Sequence, residues 1–156
     1  MFFETYGAGR LVELAEKRGW LVVAPRQGLF GLGMDVSQIL QVLSNHFEID
    51  RDRVFLIGHS MGAGQVVSQC ERHGDLIAKA VAIGGGRTPR DVEHLKHPQW
   101  LVSAGERDFG RRVGAGLARR LHELGATVDY IEVADVEHMV IVQASLDRVF
   151  RFYDGK

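Results

Sequence analysis

Residues 54–65 read VFLIGHSMGAGQ, and this stretch decides the fold. Its first four residues, 54–57, have the length and the apolar composition of a buried strand. They lead directly into Ser60, which has glycine two residues away on each side, and residues 61–71 continue with helical character. A strand that enters a helix through so tight a turn is typical of a fold in which strands and helices alternate.

The rest of the chain shows the same alternation. Short apolar runs of strand length occur at residues 20–24, 54–57, 79–83, 100–104 and 128–133. Helical spacing occurs around Leu11 and Leu14, after a predicted Asp35 cap, from Val113 to a stop at Gly125, and over residues 141–153. The pattern predicts one α/β domain over residues 1–156, with a mainly parallel sheet of about five strands and helices on both faces.

Composition narrows the classes of partner. The chain has 156 residues, of which 46% are hydrophobic and 25% charged, a profile typical of one globular domain. Its 19 basic and 20 acidic residues give a net charge of −1, so no general attraction to nucleic acid or to an anionic membrane surface is expected. We therefore expect a small molecule bound at a local site, with neither nucleic acid nor membrane as a partner.

Cysteine and histidine patterns give no indication of a metal or a cofactor. The single cysteine, Cys70, has apolar neighbours and is interpreted as a packing residue, and the seven histidines lack HExxH spacing. No apolar run approaches the roughly 18 residues of a membrane span, and the first residues lack the pattern of a signal peptide. A cytoplasmic location is expected for the chain as written.

The glycine-flanked serine is a weak signal by itself, because the chain contains 19 glycines. Its flanks strengthen it: a tight strand-to-helix turn is expected to strain the backbone of Ser60 and to project its hydroxyl. Gly58 and Gly62 are expected because a side chain at either position would collide with the neighbouring strand or helix. The backbone N–H of Met61 is expected to point to where an oxyanion would form.

A serine becomes a nucleophile only when a base takes its proton, and the base needs a carboxylate to orient it. Asp108 follows the fourth apolar run, and His138 lies in the loop after the fifth. Parallel strands would bring both to the edge that carries Ser60. Asp135 and Glu137 are alternatives to Asp108. His59 is expected to point away from the serine and to have a structural role.

Three stretches of sequence resemble serine hydrolases of the α/β-hydrolase fold. They are IDRDRVFLIGHSMGA at 49–63, LAEKRGWLVVAPR at 14–26, and GERD at 105–108. They look most like the branch of polyhydroxybutyrate depolymerases, feruloyl esterases and prolyl-oligopeptidase-like enzymes. The resemblance implies that Ser60 is the nucleophile, Asp108 the acid, His138 the base and the Met61 amide one oxyanion donor.

The resemblance also implies elements that this sequence does not contain. In the family, an HGG-type loop just before the helix that here begins near Glu4 supplies a second oxyanion donor, and a further strand lies between the family's fourth and fifth strands. We therefore expect residues 20–24 and 54–57 to pair directly, to leave a slot, or to accept a strand from a second molecule. A homo-oligomer that completes the sheet, an incomplete N-terminus and a secreted location are corresponding expectations.

The expected function is that of a serine esterase that hydrolyses small carboxylic esters through an acyl-enzyme. Residues 84–99 are too few for a helical cap, so an open site is expected, lined by residues 27–34, residues 84–88 and the surroundings of Met139. Two alternatives are a non-catalytic or weakly active truncated module of this fold and a peptidase of the prolyl-oligopeptidase type. Stoichiometric labelling of the serine without turnover would distinguish the module from the esterase.

Overall fold

The computed structural model describes residues 8–25, 35–90 and 93–155. In these ranges five α-helices are formed: α1 Arg10–Glu16, α2 Val36–Ser44, α3 Met61–His73, α4 Arg111–Glu123 and α5 Ile141–Tyr153. The same ranges contain four strands: β1 Phe55–His59, β2 Lys79–Ile83, β3 Gln99–Gly105 and β4 Val128–Val133. Single 3₁₀ turns are formed by Arg51–Arg53, Gly74–Leu76 and His94–Lys96.

The four strands form one sheet in the order β1-β2-β3-β4, and every neighbouring pair is parallel. The register places Lys79 between Phe55 and Gln99. Parallel neighbours cannot be joined by tight turns, so each of the three connections crosses over the sheet. The chain passes from β1 to β2 through α3, from β2 to β3 through the 3₁₀ turn His94–Lys96, and from β3 to β4 through α4. The predicted α/β class with a parallel sheet is confirmed.

The sheet is covered on both faces because successive side chains of a strand point in opposite directions. In β2, Ala80 and Ala82 face the layer formed by α2, α3 and α4. Val81 and Ile83 face the layer formed by α1 and α5. Cys70 is fully buried in the first of these layers, which confirms its interpretation as a packing residue.

The strand predicted at residues 20–24 is wrong, and the described sheet has four strands rather than five. A strand needs a neighbour whose backbone groups match its own, whereas the Trp20 N–H donates to the Ala15 carbonyl oxygen at the end of α1. The indole of Trp20 is held by aromatic contacts instead, 5.2 Å from Phe55 and 5.7 Å from Phe150 between ring centroids.

Strand β1 is an edge strand in the part of the sheet that the structure describes. A groove of about 830 Å³ runs along it, bounded by residues 19–25, by α2 and by the start of α3. The expectation that residues 20–24 pair directly with residues 54–57 is wrong for the described residues, which leave a slot between the two segments. The hydroxyl of Tyr153 donates to the Leu56 carbonyl oxygen at 2.7 Å and so ties α5 to the edge strand.

The predicted helix ends are confirmed by their capping geometry. The Asp35 carboxylate accepts from the Gln38 N–H, and the Gln38 side chain accepts from the Asp35 N–H. Hydrogen bonds from the Ser37 hydroxyl and from the Gln38 backbone N–H lower the pKa of Asp35 to about 2. At the end of α4, Gly125 has a φ of +83°, which glycine adopts without strain.

Candidate active site

Three of the predicted site residues lie at the carboxyl edge of the sheet. Ser60 follows β1 immediately, Asp108 lies three residues beyond β3, and His138 lies five residues beyond β4. Since all the strands are parallel, their carboxyl ends lie on the same edge. The described chain therefore gathers the three side chains at one end of the molecule.

Ser60 occupies the turn between β1 and α3 in a strained conformation, with φ +55° and ψ −117°. Positive φ is uncommon for residues other than glycine, and such strain persists only where the surroundings impose it. Here the Ser60 N–H donates to the Ile83 carbonyl oxygen at 2.9 Å, and the Ser60 carbonyl oxygen accepts from the Ala63 N–H at 3.0 Å. Among the described residues nothing hydrogen-bonds the Ser60 hydroxyl, which is left available to another group.

The two glycines of this turn differ in their surroundings. A Cβ at Gly58 would lie 2.2 Å from the Gly62 carbonyl oxygen, so the expected collision at Gly58 is confirmed. A Cβ at Gly62 would meet no described atom within 4 Å, and the collision expected there is wrong. The reason is that Gly62 borders the groove beside β1 rather than a packed element.

Asp108 and His138 form a direct contact. The Oδ1 atom of Asp108 lies 2.7 Å from Nδ1 of His138, and their side chains are 0% and 9% exposed. The Gly110 N–H donates to the same Oδ1 at 2.6 Å. With Asp108 ionised as acceptor, the proton of a neutral His138 lies on Nδ1, and Nε2 is left with a free lone pair.

The two alternative carboxylates do not take this position. Glu137 forms an ion pair with Arg107 at 3.1 Å, with both side chains exposed. Asp135 lies at a turn with φ +60°, where its backbone N–H donates to Glu106. Of the three candidate carboxylates, Asp108 is the one that contacts His138.

Backbone hydrogen bonds connect the two loops that carry this pair. The Glu106 N–H donates to the Val133 carbonyl oxygen at 2.9 Å, and the Arg107 N–H donates to that of Val136 at 3.1 Å. The loop after β3 is therefore fixed relative to the loop after β4 by main-chain contacts. These main-chain contacts, together with the side-chain contact itself, set the distance between Asp108 and His138.

Gly84 and Gly85, which follow β2, lie between Ser60 and the Asp108–His138 pair. Gly84 has φ +58°, and a Cβ there would lie 2.7 Å from Asp108 Oδ2 and 3.2 Å from His138 Nδ1. A Cβ on Gly85 would lie 2.9 Å from the Ser60 carbonyl oxygen. The absence of side chains at these positions allows the serine turn and the acid–base pair to lie side by side.

The loop that begins with these glycines is anchored to α3. Glu71 is buried, and its carboxylate accepts from the Arg87 side chain and from the Arg90 N–H. Residues 84–88, which the sequence predicts to line the site, thus run from the acid–base pair to this anchor. The other predicted lining segment, residues 27–34, lies outside the described residues.

His59 contacts the loop that carries His138, a contact that the sequence did not reveal. Its side chain is buried, Nε2 lies 2.9 Å from the His138 carbonyl oxygen, and the two imidazole rings are 4.5 Å apart. Burial lowers the pKa of His59, and the adjacent His138 lowers it further. A neutral His59 with its proton on Nε2 donates to this carbonyl group and supports the loop that carries His138.

Exposed apolar residues adjoin each of the three proposed site residues in sequence. The Phe109 ring lies 3.9 Å from that of His138 between centroids, and Phe109 is 79% exposed. Met61 and Met139, which follow Ser60 and His138 in sequence, are also exposed. A cleft of about 730 Å³ lies beside Asp108 and Phe109, and its other lining residues are Glu106, Arg107, Arg111, Arg112, Ala115 and Glu132.

The expected oxyanion donor lies at the start of a helix. Met61 is the first residue of α3, and the N–H groups of a helix's first turn have no intrahelical acceptor. The positive end of the helix dipole favours an anion at this place. In the described part of the chain no three or more His, Cys, Asp and Glu side chains are grouped to hold a metal ion, and no helix there is long and apolar enough to cross a membrane.

No protein-family model matches the chain, and neither does any curated protein sequence. Solved structures do match. A thermostable esterase is 26% identical with a TM-score of 0.61 over 74% of this chain and 32% of its own. The carboxylesterase of Bacillus cereus is 17% identical with a TM-score of 0.62 over 77% and 57%. SOBER1 of Arabidopsis thaliana is 15% identical with a TM-score of 0.59 over 76% and 59%.

Two of these three structures, the thermostable esterase and the carboxylesterase, are esterases by name, and the likeness shows that the described chain has an α/β-hydrolase-like fold. It spans between 32% and 59% of the lengths of these three structures.

Proposed function

We propose that this chain is a serine esterase that hydrolyses small carboxylic esters through an acyl-enzyme. The observation that carries the proposal is the 2.7 Å contact between the buried Asp108 carboxylate and His138 Nδ1, at the sheet edge that also bears the strained Ser60. In this proposal Ser60 is the nucleophile, His138 the general base and Asp108 the acid of a catalytic triad. The turn at Ser60 is then a nucleophile elbow.

The proposed reaction begins when the Ser60 hydroxyl attacks the ester carbonyl carbon and His138 Nε2 takes its proton. The negative charge that develops on the carbonyl oxygen is stabilised by the Met61 N–H. Collapse of this intermediate expels the alcohol, which receives the proton from His138, and leaves an acyl group on Ser60. Water then attacks the acyl-enzyme with His138 again as base, and the carboxylic acid leaves. Asp108 stabilises the imidazolium in both halves.

The proposal of small esters is supported by the open surroundings of the site. Between β2 and β3 the described residues form no helix longer than the 3₁₀ turn His94–Lys96, so this connection holds no helical cap there. Placement near the polyhydroxybutyrate-depolymerase and feruloyl-esterase branch rests on the sequence motifs. A ferulic acid esterase among the structural neighbours is 17% identical and supports the fold alone.

The decisive experiment compares Ser60→Ala with Ser68→Ala, a matched change on α3. Hydrolysis of p-nitrophenyl acetate and covalent labelling by a fluorophosphonate are measured for each variant, and the labelled peptide is identified by mass spectrometry. Ser60→Ala is expected to abolish both, and Ser68→Ala is expected to retain both. Labelling that survives Ser60→Ala, or an adduct on another residue, contradicts the assignment.

A second candidate is a weakly active or non-catalytic module of the same fold. It is favoured by the oxyanion site, since the described ranges contain the Met61 N–H but no HGG-type loop to supply a second donor. Loss of one such donor typically lowers kcat by about 10²–10³-fold. Stoichiometric labelling of Ser60 without ester turnover would favour the module, whereas repeated turnover favours the esterase. Cleavage of a prolyl anilide would favour the peptidase.

A further inference from the structure

We infer that Phe109, together with Met61 and Met139, forms an apolar platform that binds the hydrophobic group of the ester. The substrate class is then small esters with an aromatic or extended aliphatic group, in preference to esters whose two groups are both short. This inference rests on the proposed esterase function.

Phe109 has one covered and one open side. Its ring centroid lies 3.9 Å from that of His138 with an angle of 35° between the rings, although the residue is 79% exposed. Part of the aromatic surface therefore lies against the proposed base, and most of the residue stays accessible. An accessible aromatic surface beside a reacting group is suited to an apolar ligand, because aromatic rings gain free energy from stacked or edge contacts.

The position of Phe109 is set by its two neighbours. On one side Asp108 is bound to His138, and on the other the Gly110 N–H donates to Asp108 Oδ1 at 2.6 Å. A Cβ at Gly110 would lie 2.2 Å from the Gly84 carbonyl oxygen, so this turn is packed closely on the loop after β2. The backbone that carries the ring is thus ordered by the same contacts that order the acid–base pair. Binding of a substrate group therefore costs little further loss of backbone entropy.

Several exposed apolar residues adjoin the proposed site residues in sequence. The described residues include ten large hydrophobic residues that are exposed, and four of them lie within two positions of Ser60, Asp108 or His138 in sequence. These four are Met61, Phe109, Met139 and Val140, at 86%, 79%, 56% and 47% exposure. Methionine side chains are flexible and polarizable, so they adapt to apolar and aromatic ligands of different shape.

Charged groups beside the platform are partly neutralised within the protein. Arg111 forms an ion pair with Glu132 at 2.7 Å, and Arg107 forms one with Glu137 at 3.1 Å. The cleft that contains Phe109 is therefore lined by charges of both signs. With two of the three arginines that line the cleft paired to glutamates, the attraction of the cleft for a second carboxylate is reduced.

The test compares Phe109→Ala and Phe109→Leu with Phe47→Ala, which removes another exposed phenylalanine that lines the groove beside β1. One ester series varies the acyl group with a constant leaving group: p-nitrophenyl acetate, hexanoate and phenylacetate. A second varies the alcohol with a constant acetyl group: methyl acetate against benzyl acetate, followed by pH-stat. The two series show which side of the ester lies on the platform.

For the series whose varied group contacts Phe109, Phe109→Ala is expected to lower kcat/KM about tenfold for the larger esters, mainly through KM. The smallest ester of that series should change by no more than about twofold, Phe109→Leu should lie between, and Phe47→Ala should match the wild type. An equal loss for all esters would show that Phe109 only supports His138, and it would overturn the platform. An equal effect of Phe47→Ala would overturn it as well.

Covalent labelling separates failure of this inference from failure of the proposed function. The inactivation rate is measured with diisopropyl fluorophosphate and with a long-chain alkyl fluorophosphonate. A preference for the long-chain reagent that disappears in Phe109→Ala supports the platform even if ester turnover is slow. Wild-type protein that reacts with no ester and no fluorophosphonate contradicts the esterase itself. Wild-type activity with unchanged preferences in Phe109→Ala contradicts the platform alone.

Discussion

The Nε2 atom of His59 lies 2.9 Å from the backbone carbonyl oxygen of His138, and both side chains are buried. This contact joins the last residue of β1 to the loop after β4. It brings the residue that precedes the proposed nucleophile into contact with the residue that carries the proposed base.

We predict that His59→Leu lowers kcat/KM for p-nitrophenyl acetate about tenfold, because the His138 carbonyl group loses its donor and the loop is held less firmly. His59→Gln should recover most of the activity, since an amide N–H can donate to the same oxygen. The activities and the pH profile of kcat/KM are measured for both variants. Equal losses in His59→Leu and His59→Gln, with unchanged pH profiles, would exclude a role for the hydrogen bond.

The burial of His59 leads us to predict that the stability of the protein depends on pH. Its pKa is lowered by burial and by the charge of His138, with opposing contributions from the hydrogen bond to the His138 carbonyl oxygen and from Asp108, whereas an ordinary histidine has a pKa of 6.5. Below about pH 6.5 the unfolded chain takes up a proton that folded His59 resists, so the free energy of unfolding falls as the pH falls. Urea unfolding at pH 7.5 and 5.5 should show a smaller fall in His59→Gln than in the wild type.

The matched control for this measurement is His122→Gln on the exposed side of α4. Its pH dependence should follow that of the wild type. If His59→Gln and His122→Gln lose the same stability between the two pH values, His59 does not cause the effect.

Asp108→Asn tests the identity of the acid. The amide can donate to Nδ1 and so favours the wrong tautomer of His138, and we expect kcat to fall by about 10³–10⁴-fold. Asp135→Asn, which changes one of the alternative carboxylates, should keep activity within about twofold of the wild type. Circular dichroism checks that both variants fold. A large loss in Asp135→Asn with little loss in Asp108→Asn would reverse the assignment.

Gly84→Ala should damage the site from the loop after β2. The new methyl group would lie 2.7 Å from Asp108 Oδ2, at a residue with φ +58°. We expect at least a tenfold loss of activity and a loss of stability of about 1–3 kcal/mol. Gly116→Ala on α4 is the control, because no described atom lies within 4 Å of its Cβ and alanine favours helix. A Gly84→Ala enzyme with wild-type rates would show that the loop tolerates a shift.

Tyr153→Phe tests how the edge strand is held. It removes the 2.7 Å hydrogen bond to the Leu56 carbonyl oxygen and keeps the ring stacked on Phe55 at 4.7 Å. We expect the free energy of unfolding to fall by about 1 kcal/mol in chemical denaturation. Tyr130→Phe, on the exposed face of β4, should change it by less than about 0.5 kcal/mol. Equal values for the two variants would contradict a structural role for the Tyr153 hydroxyl.

Local patterns predicted much of the fold and the candidate residues of the site. The runs at 79–83 and 128–133 coincide with β2 and β4, and Asp35 and Gly125 lie at the helix ends where they were expected. These features depend on neighbouring residues: side-chain alternation, a capping carboxylate, or a glycine at positive φ. The chain order of Ser60, Asp108 and His138 is likewise a property of the sequence.

Contacts between distant parts of the chain were decided by the tertiary structure. Residues 20–24 have a strand-like composition but form no strand, because a strand depends on a partner with matching backbone groups. The choice of Asp108 over Asp135 and Glu137, and the contacts of His59 and Phe109 with His138, depend on how the loops after β1, β3 and β4 pack.

The sequence by itself thus determined most of the elements and which reactive side chains lie at the ends of strands, because both follow from short-range patterns along the chain. Only the tertiary structure decided which of these side chains contact each other. Hydrogen bonds such as that between Asp108 and His138 require atoms placed within a few tenths of an ångström, and that placement comes from the packing of loops far apart in sequence.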